Sequence, residues 1–275
     1  MIPGFRARAL ALLVGTWLLL ATAGAGAQSA VDASADARTV VAAWSISGDT
    51  ARPDPSVGMA ADRRAAFDAV EVYVWSALPP DAKARVSRLE LFVVPGSVEN
   101  ASDGTAAEND DGTTWTLGLD DGEAESAVLG GDVSDEGTFD EVVAHEVGHV
   151  LSLNKDQRAD RGTAGTYADD EGAFAASSYL NRFYQRFWKG HYADWSADAD
   201  EDQSSRVYDR HPDSFVTEYA ATDPSEDFAE SFAYFVLGRR TTSQTERGEK
   251  IRFFYGFPDL VKDRDAMRAS LSSVR

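Results

Sequence analysis

Residues Thr138 to Asn154 read TFDEVVAHEVGHVLSLN, with His145-Glu146-Val147-Gly148-His149 at their centre. Thr138 followed three residues later by Glu141 is a capping-box signal. Phe139, Val142, Val143, Val150, Leu151 and Leu153 supply apolar faces, so the stretch predicts a helix that stops near Asn154. Helical residues four apart share a face, with Cβ atoms about 5–6 Å apart. The two imidazoles can therefore reach one metal ion, with Glu146 projecting beside it. Zinc held in this way lowers the pKa of a bound water to about 7, and a neighbouring carboxylate can take its proton. The chain contains four histidines, and two of them fall in this turn.

An isolated H-E-x-x-H is only moderately specific, because any solvated helix can carry it by chance. Catalytic zinc takes three protein ligands and keeps one position open, so a third ligand must come from elsewhere. The metzincin form, with a glycine and a third histidine soon after the second, is excluded, since His149 is followed by VLSLNK. No Gly-Thr-x-Asp motif follows either. Thr222-Asp223-Pro224 announces a second helix, with a capping residue and proline at the first helical position, running to Leu237 and ending at Gly238. Glu226 and Glu230 lie four apart on it, while Phe228, Phe232 and Phe235 can enter the core. One carboxylate would bind zinc, and the other would accept the outer N–H of a ligating histidine. Asp227, about 100° around the helix from Glu226, is an alternative ligand. His191 and His211 read as surface residues, with His211 able to reach the site as an extra donor. Tyr219 could simply pack under the helix.

The stretch from Tyr219 to Phe232, YAATDPSEDFAESF, resembles the second motif of glutamate zincins (gluzincins) related to the anthrax lethal factor catalytic domain and the bacterial Pro-Pro endopeptidases. Those metallopeptidases carry a tyrosine seven residues before a glutamate ligand and a second glutamate four after it. The resemblance implies Glu226 as third zinc ligand, Glu230 as hydrogen-bond partner of a ligand, and Tyr219 as the hydroxyl that stabilises the oxyanion. It covers the two motifs and the residues between and just after them. Residues 28–130 match no family region, so substrate preference does not carry over.

The N-terminus reads as a signal peptide over residues 1–27: Arg6 and Arg8, an apolar run from Leu10 to Leu20, and Ala25-Gly26-Ala27 before Gln28. The run is short for a membrane span of about 20 residues, and no second stretch approaches that length, so the expectation is a secreted protein with no membrane insertion of the mature chain. With no cysteine there is neither a lipid-modified cysteine anchor nor a disulfide framework. The chain has 26 basic and 46 acidic residues, and without Arg6 and Arg8 the basic count falls to 24. So acidic a chain makes nucleic acid and anionic membrane surfaces poor partners, and no nucleic-acid partner is expected. The acidic run Asp194–Asp202 lacks the glycine and terminal glutamate of an EF-hand and reads as a solvated loop.

Residues 28–55 read as a flexible N-terminal segment, with one short strand at Thr39–Ile46. Residues 56–275 read as a zincin-like metallopeptidase domain. Its predicted elements are a helix over Ala60–Leu78, strands at Arg88–Val94 and Thr113–Asp120, and helices at Gly172–Lys189, Thr245–Phe254 and Pro258–Leu271. Gly96–Asp111 reads as a surface loop, and an acidic turn is expected after Asp120. By analogy with zincins, Thr113–Asp120 is the expected edge strand for pairing with extended substrate. The fold class is α+β, a small sheet packed on the active-site helix, with a mostly helical C-terminal half. The expected activity is zinc-dependent (Zn2+) peptide-bond hydrolysis of protein or peptide substrates, with Glu146 as base, His145, His149 and Glu226 as ligands, and Tyr219 and Glu230 in support. The alternatives are an inactive extracellular zinc-binding interaction module and a zinc hydrolase of non-peptide cell-wall amides.

Overall fold

The computed structural model describes residues 38–94, 103–129, 138–159, 165–196, 201–238 and 240–274. The expected signal peptide lies outside the described residues. The chain is mixed α/β and divides into a sheet unit and a helical unit.

The sheet unit holds strands β1 (Thr39–Ser47), β2 (Thr50–Pro53), β3 (Val86–Val93), β4 (Gly104–Glu108) and β5 (Trp115–Asp120) in the order β2-β1-β3-β5-β4. β3 and β5 run parallel, and the other pairs are antiparallel. The run VVAAWSI in β1 buries Ala42, Ala43 and Trp44, as expected of a strand with neighbours on both sides. It turns into β2 through Gly48, whose φ of 57° suits a tight hairpin. The short strand expected at Thr39–Ile46 is thus present as β1, and the pairing continues through β2 to Pro53, residues read from sequence as part of the flexible segment.

Three further expectations are corrected here. Thr113–Asp120 is not an edge, because β5 is flanked by β3 and β4; the edges are β2 and β4. The expected loop Gly96–Asp111 contains the edge strand β4, whose Gly-Thr-Ala-Ala-Glu lacks the bulky residues that mark strands. The acidic turn after Asp120 is helix α3 (Asp121–Leu129). Its first-turn acids suit a helix N-terminus. Arg63 grips it through Asp121 at 2.7 and 2.8 Å and Glu125 at 2.8 Å, with its guanidinium over the Phe67 ring.

Helix α1 (Arg64–Ala77) gives Arg64 to Val72 to the sheet unit and Tyr73 to Ala77 to the helical unit. The latter also holds α2 (Pro80–Lys83), α4 (Thr138–Leu153), the hairpin β6 (Ala168–Asp169) and β7 (Gly172–Ala173), α5 (Tyr179–Phe187), α6 (Glu201–Arg210), α7 (Pro224–Leu237), α8 (Glu246–Phe253) and α9 (Pro258–Val274). The aromatic helix is shorter than predicted: Ser178 caps it through the Asn181 amide, and the residues before it include β7. Helix α6 occupies the end of the acidic run read as loop.

Helices α4 and α7 pack along each other, with α7 also touching α5, α8 and α9. Phe183, Phe228, Phe232, Phe235 and Phe254 are all buried, and their rings meet at 5.0–6.3 Å. Gly148 sets how closely α4 and α7 approach. A Cβ there would lie 3.0 Å from the Ala229 Cα and 3.3 Å from its Cβ, backbone that cannot rotate away. Gly148→Ala gains about 1 kcal/mol of helix propensity and loses about 1–3 kcal/mol to overpacking. Its expected outcome is a lower urea midpoint together with weaker metal binding; a variant as stable and as metal-competent as the parent would show that the helices can separate freely.

Candidate metal centre

Helix α4 presents His145 and His149 on one face, and the first turn of α7 presents Glu226. Asp223 organises that turn, accepting from the backbone amides of Ser225 at 2.6 Å and Glu226 at 3.1 Å, with proline following it. The predicted capping of this helix thus holds, with Asp223 as the cap. His145 Nε2 and His149 Nε2 lie 2.8 Å apart, and Glu226 Oε2 lies 3.2 and 3.4 Å from them. Among the described residues this is the one group of three or more histidine or carboxylate side chains able to converge on an ion. These separations are short enough for the three atoms to hold one ion together at ordinary zinc–nitrogen and zinc–oxygen bond lengths. Two imidazoles and one carboxylate are also a donor set that suits zinc.

The surroundings orient this set. His145 Nδ1–H donates to Glu230 Oε1 at 2.7 Å, leaving Nε2 facing the centre. Glu230 Oε2 accepts from the Thr217 hydroxyl at 2.6 Å, and Thr217 Oγ1 accepts the Ala220 amide at 3.1 Å. Tyr219 opens a 3₁₀ turn, Tyr219–Ala221, its ring 6.1 Å from that of His145. It is half-buried. Burial, then the charges of Glu226, Asp223, Glu146 and Glu230, push its hydroxyl well above the ordinary tyrosine range, so it remains a donor. Glu146 is buried, at 2% exposure. Glu141, one turn before His145, is pushed up to about 7, mainly by burial and then by the charges of Glu230 and Asp140.

Burial opposes a charge on His145, but hydrogen bonds to Glu226 and Glu230 outweigh it and hold its pKa well above the usual value. Burial likewise opposes ionisation of Glu226, and the two histidines reverse the effect, lowering its pKa to about 2.

Asp227, the alternative ligand, turns away from the histidines and is not in the converging group. Its Oδ2 takes Lys250 Nζ at 2.6 Å and the Trp188 indole N–H at 2.7 Å, with both partners of the ion pair fully buried. Lys250 is enclosed by Phe215, Tyr192 and Trp188. His191 contacts Glu246, while His211 lies against Tyr192 near Asp194; neither is in the converging group. Sequence reasoning missed Thr217 and Lys250. Neither forms a motif, and each is joined to the site helix by tertiary contact.

No protein-family model matches the chain, and no curated protein matches it. Among solved structures it is similar to a protein from Bacteroides caccae described as a proposed zinc-binding metallo-peptidase, at 15% identity and a TM-score of 0.37, over 76% of this chain and 74% of that one.

Glu226→Ala is expected to lower zinc affinity by more than the roughly 10–100-fold typical of losing an outer partner. Asp227→Asn is expected to lower the affinity less than Glu226→Ala does and to cost about 3–5 kcal/mol of stability, because Lys250 stays buried without its counter-charge. Wild-type affinity in Glu226→Ala would transfer the ligand role to Glu230. Cation binding must also displace the His145 proton, so affinity should rise with pH. Calorimetry in two buffers of different ionisation heat reads that proton, and identical heats would mean that His145 is already neutral.

Proposed function

We propose that this protein is an exported zinc-dependent endopeptidase. The observation that carries the proposal is the convergence of His145, His149 and Glu226 from two helices, with Glu146 and Tyr219 beside them. The tyrosine-to-glutamate spacing shared with lethal factor-like gluzincins supports it, and the charged, apolar and small-residue order of the first 27 residues supports export. Zinc, when bound, supplies a Lewis acid that polarises a carbonyl and makes water acidic enough to act near neutral pH. Glu146 takes the proton from the attacking water and delivers it to the leaving amine. Tyr219 donates its O–H to the oxygen that becomes negative during attack. Glu230 keeps His145 in the tautomer whose Nε2 faces the centre.

One observation favours a second reading, an inactive zinc-binding interaction module. His145, His149, Glu146 and Glu226 are only 1–2% exposed, as in a closed structural metal site. A buried base and a tyrosine donor in place beside the ligands favour catalysis instead, since a purely structural metal needs neither.

Incubating the zinc-loaded protein with an unbiased peptide library separates these. Cleavage is expected, with Glu146→Ala retaining zinc and losing about 10²–10⁴-fold in rate. A zinc-loaded wild type that cuts no peptide would support the interaction module or a hydrolase of cell-wall amides. A Glu146→Ala variant cutting at the wild-type rate would remove Glu146 as base.

A further inference from the structure

Thr217 lies outside both motifs, in the segment before the 3₁₀ turn, and its hydroxyl is used twice. It donates to Glu230 Oε2 at 2.6 Å and accepts the Ala220 amide at 3.1 Å. Glu230 spends its other oxygen on His145 Nδ1–H at 2.7 Å. A continuous path therefore runs from the backbone of the turn carrying Tyr219, through Thr217 and Glu230, to a ligand imidazole. A carboxylate held at one oxygen can swing about its side-chain torsions; held at both, it fixes the imidazole plane. Outer hydrogen-bond partners of this kind tune ligand affinity and orientation.

We infer that Thr217 is a positioning residue that couples the Tyr219 turn to the metal ligand His145 by clamping Glu230. This rests on the assignment of His145, His149 and Glu226 as a metal centre. The hydroxyl is the operative group, because it is the part of the side chain that bonds both Glu230 and the turn. A serine can supply the same two bonds, while valine keeps the shape and supplies neither.

The test measures zinc affinity by competition with a chromogenic chelator in the full chain, alongside peptide turnover. Thr217→Val is expected to weaken zinc about 10-fold and to lower kcat more than it changes KM. Thr217→Ser is expected to stay within about two-fold of wild type in both. In a Glu230→Ala background, adding Thr217→Val should cost less than about two-fold further in zinc affinity, because the path is already cut. Wild-type zinc affinity in Thr217→Val, a Thr217→Ser variant as weak as Thr217→Val, or a full additional loss on Glu230→Ala would each overturn the inference. Should Thr217→Val fail to fold by circular dichroism, Thr217→Ala in the same cycle takes its place with the same expected values. His145→Ala separates the two levels: if it binds zinc as tightly as wild type, the metal-centre assignment itself fails. If it loses zinc while Thr217→Val does not, only the role of Thr217 falls.

Discussion

The close approach of α4 and α7 is the constraint from which the candidate centre follows. Two histidines on one helix and a glutamate on another converge only if the helix backbones nearly touch, and Gly148 against Ala229 permits this. The glycine inside the His-Glu-Val-Gly-His run is thus as necessary to the geometry as the histidines that flank it. A side chain there would separate Nε2 atoms now 2.8 Å apart from a carboxylate 3.2–3.4 Å away.

Helix α7 is held on two sides by different forces. One side carries Glu226 and Glu230 toward α4. The other carries Asp227 into an enclosed pair with Lys250, steadied by Trp188. Burial alone drives Asp227 toward its neutral form; Lys250, Trp188 and Ser231 resist this and leave its pKa at about 6. Truncating one member of such a pair is costly, and the pair's net worth against an apolar replacement is small. Its geometric consequence is large, because it sets the rotation of α7 and so decides which carboxylate meets the histidines.

Much of the helical unit was legible because its signals are local. Capping residues, proline at the first helical position and apolar periodicity predicted α4, α7, α8 and α9 nearly to the residue, since each depends on neighbours within one or two turns. The sheet unit was less so. β4 is short and poor in β-formers, and α3 is an acidic segment held by Arg63, some sixty residues earlier in the chain. The rank of β5 within the sheet depends on which strands flank it, and no pattern inside Trp115–Asp120 encodes that.

At the centre, the amino-acid sequence by itself determined the pair His145 and His149, Glu146 beside them and the two glutamates that share one helical face. These follow from the 3.6-residue period of a helix and need no knowledge of the rest of the chain. The resemblance pointed to Glu226 and Glu230, and the tertiary structure decided the contacts: Glu226, rather than Asp227, meets the histidines, Glu230 turns to His145, and Thr217 closes the path to the tyrosine turn. Each of those outcomes depends on the rotation and separation of two packed helices. Packing fixes both, through a glycine contact and a buried ion pair whose partners lie far apart in the chain.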